Sequence, residues 1–591
     1  LILGSKSQIR NLKFKMSEWI IAQPEEALVE MIKQSISLSP LLARLLANRG
    51  LKTPELINEF VYPQLAGLHD PFLFPQMEVA VDRIKQAIQR KERILVYGDY
   101  DADGLTGTAL LYSVLRNYTD LVYPRIPHRL DEGYGLNSDA IQEEKQNGID
   151  LIITIDCGIT AIAEAKLANE LGMDLIINDH HTPNEDGSLP TARAILHPYL
   201  PKTTYPFPYL AGVGSAFKLA QAISATLENK SSANLELLEY LDLVAIGTIC
   251  DVVPLVGENR ILTKFGLNQL TKTSRPGLQA LMTVAGIGNK KMDNYQVAFI
   301  LGPRLNAAGR MGNANVARNL LLTETAEQAV FYARQLNEFN QQRQQIELDI
   351  LAEAEEQLQS VDESPNMRSG AIVLANESWH QGVLGIVAGK LAEKYFRPVV
   401  LFGLNEEDWT GSARGIYGFN LMQALGQCDN IKYGGHWKAA GITLARTRIN
   451  EFREQFYSVT TALLAETVRT PSISIDAEIT LSELSEQLLK EELPLLEPYG
   501  TDNPEPTFVA RNLTLIAEPR LFKEKHLNLR FNSPENAKVT AMGYNWVNKY
   551  DAFPKYSEIY DLVFSPKLNH YQGRESIELQ IKDIRKAAGR L

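Results

Sequence analysis

Three short apolar runs, each closed by acids, constrain this chain more than any other feature in it. Ile94 to Tyr97 runs through Gly98 into Asp99, Asp101 and Asp103, Leu151 to Ile155 runs into Asp156, and Leu175 to Ile177 is followed by Asp179, His180 and His181. Helical stretches lie between them: Thr106 to Tyr118, with Leu110, Leu111, Val114 and Leu115 on one face, Ser138 to Gln146 before Gly148, and Ala161 to Leu171 before Gly172. Leu121 to Ile126 reads as a further strand. Strands alternating with helices at this spacing predict βαβ units and a mostly parallel sheet. The runs are apolar throughout rather than alternating, which predicts strands covered on both faces. Ligands of such a sheet collect beyond the carboxyl ends of its strands. The same pattern therefore brings the acids and histidines to one crevice.

A lone Asp-x-Asp is more often a surface turn, and a lone Asp after a strand is more often a helix cap. Three such clusters in series, with adjacent histidines in a chain that has nine in all, favour a metal site. Asp251, at the end of the apolar stretch Leu243 to Cys250, reads equally well as a helix terminus. So many carboxylates cannot share a small crevice without a cation, because like charges raise one another's pKa. Carboxylate-rich ligation with one or two imidazoles suits Mn²⁺ or Mg²⁺ better than zinc. One or two such ions are expected, and a pair is the usual device for in-line phosphoryl displacement.

The chain has 591 residues, too many for one compact core, and about three to four domains are expected. From Thr325 to Ser360 there is no Gly or Pro, and the composition predicts one long helix of roughly 50 Å joining two lobes. Thr325 and Gln328 make a capping box at its start. A second α/β lobe begins near Gly370, with Ala371 to Leu374 and Val399 to Phe402 as strands. After Pro471, short strand-like runs between turn signals predict a small β-rich domain. From Arg520 to Leu591, 13 Lys and Arg stand against 8 Asp and Glu, a local charge of about +5 in a chain whose net charge is −12. Interleaved with them are Phe522, Phe531, Tyr544, Trp546, Tyr550, Tyr556, Tyr560, Phe564 and Tyr571, of which at least half are expected to be core and the rest available to stack on bases. Cys157, Cys250 and Cys428 are far apart and form no zinc spacing. With no secretory signal in the first fifteen residues, they predict a reducing, cytoplasmic setting. Met16 reads as a candidate start. No apolar run reaches the length of a membrane helix.

Residues 98–108 (Gly-Asp-Tyr-Asp-Ala-Asp-Gly-Leu-Thr-Gly-Thr), 155–159 (Ile-Asp-Cys-Gly-Ile), 179–181 (Asp-His-His) and 250–255 (Cys-Asp-Val-Val-Pro-Leu) resemble the four metal-binding motifs of the DHH phosphoesterase superfamily. The version present here, with Gly-Pro-Arg-Leu-Asn-Ala-Ala-Gly-Arg-Met at 302–311, is similar to the RecJ family of single-strand-specific exonucleases. Residues 379–388, 412–415 and 434–441 look like its companion domain, the last a Gly-rich turn that lets backbone approach phosphate oxygens. The resemblance runs from about Val79 to the C-terminus.

The resemblance implies an α/β fold: a DHH parallel-sheet domain joined by the long helix to a DHHA1-type α/β lobe, plus a C-terminal OB-fold barrel. The expected divisions are an N-terminal region at 1–78, the DHH domain at 79–324, the connecting helix at 325–365, the DHHA1-type lobe at 366–468 and the OB-fold at 469–591. Metal ligands carry over to Asp101, Asp103, Asp156, His180 and Asp251, with Asp179 and His181 acting behind them. His436 matches a histidine that approaches the scissile phosphate. Ser412 and Arg414, joined by Arg129, match residues that hold a terminal 5′ phosphate. Arg304, Asn306 and Arg310 match the motif near the metals, and Gly434 and Gly435 the phosphate turn. Tyr97 stands where some relatives have a metal-binding histidine, so the second ion is expected with DNA. The implied activity is 5′→3′ hydrolysis of single-stranded DNA in repair and recombination by a monomer working beside a RecQ-type helicase and a single-strand-binding protein. A pyrophosphatase or oligonucleotide phosphohydrolase of the same superfamily, and an inert replication scaffold, are the alternatives. The full acid and histidine set argues against the scaffold, and the long basic C-terminus against the small phosphohydrolases.

Overall fold

The computed structural model describes residues 17–587, apart from 36–37, 130–131, 202, 231–234, 289, 361–369, 466–470, 550–553 and 572–573. The candidate start at Met16, Tyr550 and the last turn of the expected connecting helix lie outside the described residues.

The sheet that follows the first acidic runs has five parallel strands: β1 (Ile94–Gly98), β2 (Val122–Arg125), β3 (Leu151–Ile155), β4 (Asp174–Asn178) and β5 (Ala194–Leu196), in the order β2-β1-β3-β4-β5. β1 and β3 are buried at every residue, as their unbroken apolar runs predict. Their side chains divide between two cores. Ile94, Val96, Ile153 and Ile155 pack under one set of helices, while Leu95, Tyr97, Ile152, Leu175 and Ile177 pack under the other. Tyr97 thus belongs to the core of one face, with its hydroxyl donating to the Gly135 carbonyl at 3.0 Å.

Helix α1 (Ala102–Arg116) begins four residues before the sequence pattern predicts, because Asp101 caps it. Its oxygen accepts from the amides of Asp103 (2.9 Å) and Gly104 (3.2 Å), and such a cap contributes about 1 kcal/mol. Helices α2 (Gly212–Glu228) and α3 (Leu241–Cys250) pack beside α1 and bring their ends to the same edge of the sheet. Helix α4 (Gly302–Arg310) follows a π-helical turn, Val297–Leu301.

Helix α5 (Ala326–Ser360) is 35 residues long, about 52 Å at 1.5 Å per residue. Ala329, Ala333 and Leu336 lie in the core of the first lobe, and Ile350, Ala354 and Leu358 in the core of the second lobe. Half of the predicted capping box forms. The Gln328 amide donates to Thr325 at 3.4 Å, but the Gln328 side chain accepts from Thr323 instead. The second lobe is a five-stranded sheet in the order Lys432–His436, Ala439–Ala445, Asp408–Arg414, Val399–Asn405, Ile372–Ala375, with the last pair alone parallel.

At the C-terminus, Phe508–Leu515 pairs with both Ile559–Tyr571 and His526–Asn532, which closes the sheet into a barrel. Phe531, Trp546, Tyr560 and Phe564 fill its interior, whereas Phe522, Tyr544 and Tyr556 are exposed. Leu42, Leu46, Ile57 and Val61 share this core, so the N-terminal helices are packed into the barrel domain. Arg260 joins three segments: its buried guanidinium donates to the carbonyls of Phe60 (3.1 Å), Leu495 (2.8 Å) and Leu496 (2.9 Å). Among the described residues, no helix is long and apolar enough to cross a membrane.

Candidate metal centre and phosphate cleft

The strand ends converge as the sheet rule requires. Asp103, buried in the first turn of α1, accepts from the amides of Gly212 (2.7 Å) and Val213 (2.9 Å) at the start of α2. Asp156 sits at the end of β3 with φ of 65°, a left-handed conformation costly for a non-glycine residue. Its neighbour across the crevice is Gly212, where a Cβ would lie 2.6 Å from the Asp156 carboxylate. Asp251 is the C-cap of α3, as the helix-terminus reading expects, and its carboxylate also faces His180.

His180 Nε2 stands 3.1 Å from Asp156 Oδ1, 3.5 Å from Asp251 Oδ2 and 3.8 Å from Asp103 Oδ2. Burial pushes its pKa down, which keeps the ring neutral and a nitrogen lone pair available. Burial pushes Asp103 and Asp156 the other way, well above the carboxylate range, and repulsion among Asp103, Asp156, Asp101 and Asp251 adds to it. Asp179 behaves differently. Burial opposes its charge, but it accepts from His181 Nδ1 (2.8 Å) and from the amides of Ile159, His180 and His181, and is held well below the usual range. Against the cost of its own burial, Asp179 raises His181 to about 9.

Among the described residues, three groups offer ligand atoms within 4.8 Å of one another: Asp156, His180 and His181; Asp103, His180 and Asp251; and Asp99, Asp101 and Asp156. Asp99 Oδ1, Asp156 Oδ1 and His180 Nε2 are buried without a hydrogen-bond partner. Buried polar atoms are rarely left so, and a divalent cation is the species that satisfies carboxylates and a neutral imidazole together. The donor set therefore fits Mn²⁺ or Mg²⁺.

A cleft of about 500 Å³ lies between the lobes, lined by Arg129, Arg310, Arg414, Ser412, Gly434 and Gly435 among others. Arg414 donates to Ser412 Oγ (3.1 Å) and to the Ala413 carbonyl (2.8 Å), and Arg310 to the Gly382 carbonyl (3.1 Å). Arg129 lies over the Tyr100 ring, 4.9 Å from its centre. Burial, then repulsion from Arg129 and Arg414, brings Arg310 down to about 10. Three crowded guanidiniums in a cleft call for an anion. Gly435, at φ of 147°, comes so close to Ala439 that a Cβ would meet its carbonyl at 2.3 Å. The pKa of His436 is lowered by burial and then by Arg414, Lys438 and His181, so its ring stands within electrostatic reach of Arg414 in the cleft and of His181.

Two residues of the expected set have other work. Arg304 does not line the cleft: it donates to Asn337 of α5 (3.1 Å) and to the Ile300 carbonyl (2.7 Å). Asn306 accepts from the Ala102 amide (2.7 Å) and so fixes the loop that carries Asp101. Two residues outside the expected ligand and phosphate-binding set are at the site. Asp99, which belongs to the first acidic cluster with Asp101 and Asp103, completes one ligand group. The Tyr134 hydroxyl lies 3.1 Å from His181 Nδ1 and donates to the Asp156 carbonyl at 3.3 Å, and only its place five residues after Arg129 marked it.

A parallel sheet gathering acids and histidines at its carboxyl edge, faced by a second α/β lobe, defines the class as DHH phosphoesterases. Residues 93–248 match the DHH family, N-terminal domain, 369–461 the DHHA1 domain and 475–583 the RecJ OB domain. The single-stranded-DNA-specific exonuclease RecJ of Bacillus subtilis is 37% identical over 570 residues, which cover 96% of this chain and 70% of that protein. The Escherichia coli protein of the same description is 34% identical over 516 residues, 83% of this chain and 86% of that one. RecJ from Thermus thermophilus in complex with Mn²⁺ superposes with a TM-score of 0.82 at 30% identity, covering 97% of this chain and 80% of that one. The chain belongs to the RecJ family of single-stranded-DNA-specific exonucleases.

Proposed function

We propose that this protein is a divalent-metal-dependent exonuclease that removes 5′-mononucleotides from single-stranded DNA in the 5′→3′ direction. The observation that carries the reading is the adjacency of two opposite charges. Buried, unpartnered acid and imidazole donors lie on one side, and on the other a cleft of arginines spans the two lobes. Bound Mn²⁺ or Mg²⁺ would supply a water of lowered pKa and a clamp for the reacting phosphoryl oxygens. Asp101, Asp103, Asp156, His180 and Asp251 would hold it, with Asp99 and His181 at the margins of the same groups.

The chain's own contribution is position and charge. Arg414, Arg129 and Ser412 bind a terminal phosphate, so the strand enters by its 5′ end. Asp179 orients His181 and holds its proton on Nδ1. His436, within electrostatic reach of Arg414 and His181, donates to a non-bridging oxygen of the phosphate. Asn306 fixes the Asp101 loop. The exposed rings and basic residues of the barrel hold the strand. Action in repair and recombination, in the cytoplasm, as a monomer beside a RecQ-type helicase and a single-strand-binding protein, belongs to the same reading: a nuclease of this polarity needs duplex opened ahead of it and a coated strand.

The test is to incubate the protein with Mn²⁺ and end-labelled oligonucleotides, one single-stranded and one blunt duplex, beside Asp156→Ala. Mononucleotides should appear from the 5′ end of the single strand alone and vanish in the variant. Hydrolysis of pyrophosphate or a dinucleotide with intact DNA would overturn the substrate. DNA binding without any turnover would overturn the enzyme.

A further inference from the structure

Arg129 and Tyr134 serve different parts of the site from one short segment. Arg129 lines the arginine cleft, while the Tyr134 hydroxyl reaches His181 and the Asp156 carbonyl. Both pack on Tyr100: the Arg129 guanidinium lies 4.9 Å from the centre of its ring, and the Tyr134 ring meets it edge-on at 6.4 Å and 77°. Glu132 stands between them in the chain, and both of its carboxylate oxygens are bound. Oε1 accepts from the His128 amide (2.9 Å), and the Glu132 amide returns a bond to the His128 carbonyl (2.7 Å), which closes the turn that carries Arg129. Oε2 accepts from Nη2 of Arg125, the last residue of β2, at 3.1 Å and from Nδ2 of Asn137 at 3.0 Å. Asn137 also caps the helix Ser138–Gln146 through the Ala140 amide (2.7 Å), and Arg125 donates to Glu143 (2.6 Å) and Glu144 (2.8 Å) of that helix. Just past Tyr134, the Gly135 carbonyl accepts from Tyr97 of β1. Among the described residues, Glu132 belongs to none of the ligand groups and does not line the cleft.

We propose that Glu132 is a positioning residue for both halves of the reaction: by tying this turn to the end of β2 and to the next helix, it sets Arg129 against the terminal phosphate and Tyr134 against the metal ligands. The inference rests on the nuclease reading and deepens it, because it names the group that couples the seat of the 5′ end to the metal centre. An exposed ion pair would contribute little. The Glu132 side chain is only 25% exposed, and three donors converge on its two oxygens. Against the cost of burial, those bonds hold its carboxyl below the usual range, so it carries its charge at neutral pH. Arg125 keeps Glu143 and Glu144 when Glu132 is removed, so the helix stays docked and the loss falls on the turn itself.

Two readouts that need no turnover test this on the whole protein. Binding of 5′-phosphorylated and 5′-hydroxyl oligothymidylate is compared by fluorescence anisotropy in chelator, and Mn²⁺ affinity is measured by calorimetric titration. Glu132→Ala should cut the preference for the phosphorylated strand roughly tenfold and weaken Mn²⁺ about tenfold. Glu132→Gln, which keeps the volume and removes the charge, should move both readouts the same way by less, and it decides the matter if Glu132→Ala does not fold. In an Arg129→Ala background, Glu132→Ala should cost no further preference and still weaken Mn²⁺, because its effect on the phosphate passes through Arg129. Either readout unchanged in Glu132→Gln overturns the coupling, and so does an equal loss on the two strands or a further loss of preference in the Arg129→Ala background. A natural protein that does not prefer the phosphorylated strand overturns it as well. Both losses in a protein that cleaves no DNA support the positioning by Glu132 and remove the nuclease reading instead.

Discussion

The hydroxyl of Thr501, in the C-terminal domain, donates a 2.8 Å hydrogen bond to the carbonyl of Val252, the residue after Asp251. The bond is returned three residues on, where the Leu255 amide donates to the Thr501 carbonyl at 2.8 Å. Val252 has φ of 64° and is 68% exposed. A β-branched residue in the left-handed region costs of order 1–3 kcal/mol and persists only where its surroundings hold it. The barrel domain thus holds the backbone that aims one of the acids.

Thr501→Val, which keeps the shape and removes the donor, should lower Mn²⁺ affinity roughly tenfold with the fold intact. Thr501→Ser should restore it. Calorimetric titration with Mn²⁺ reads both, and equal affinity in all three proteins would show that Asp251 is aimed without the barrel.

Gly212 has no room for a side chain, because a Cβ would lie 2.6 Å from Asp156. Gly212→Ala should displace that carboxylate and disturb the amides that Asp103 accepts, lowering both Mn²⁺ affinity and kcat about tenfold or more. Gly389→Ala serves as the control, since Gly389 is likewise a helical glycine without a positive φ and has nothing nearby to meet a Cβ. If it weakens Mn²⁺ as much, the added methyl acts without crowding the Asp156 carboxylate.

Arg414 is fixed by Ser412 and the Ala413 carbonyl inside the arginine cleft. Arg414→Ala should abolish the preference for a 5′-phosphorylated strand over a 5′-hydroxyl strand, a loss of about 2–3 kcal/mol for a charge-assisted contact. The ratio of kcat/KM on the two strands is the measurement. A ratio that survives the substitution would place the terminal phosphate elsewhere.

The metal-free protein should lose stability as pH rises. Asp103 and Asp156 have folded pKa values raised above their unfolded ones by burial and then by neighbouring acids, so the folded state binds protons the unfolded state releases, and ionising them destabilises the fold. His181, raised to about 9, contributes stability that is complete below its unfolded value near 6.5 and lost as pH rises through about 9. Mn²⁺ replaces those carboxylate protons, so its affinity should rise with pH and its effect on Tm should be larger at about pH 8 than at about pH 6. Thermal unfolding with and without Mn²⁺ across that window checks this, and a gain independent of pH would falsify the assignment of Asp103 and Asp156 as ligands.

Much of this molecule is legible in its sequence because the signals are local. Three unbroken apolar runs ending in acids dictate strands buried on both faces and a shared carboxyl edge. A run of 35 residues without a helix breaker dictates α5. The tertiary structure alone decided what depends on segments far apart in the chain. The amides of Gly212 and Val213 receive Asp103 from 109 and 110 residues away, and Thr501 reaches Val252 across 249. The alternation of side chains along β1 places Tyr97 in a core, and closure of the barrel sends Phe531, Trp546, Tyr560 and Phe564 inside while leaving Phe522, Tyr544 and Tyr556 out. Helix caps, strand runs and breakers act through a few neighbouring residues and can be read in order. Burial, and with it every shifted pKa at this site, is set by which distant surfaces exclude water together, and no local pattern encodes that.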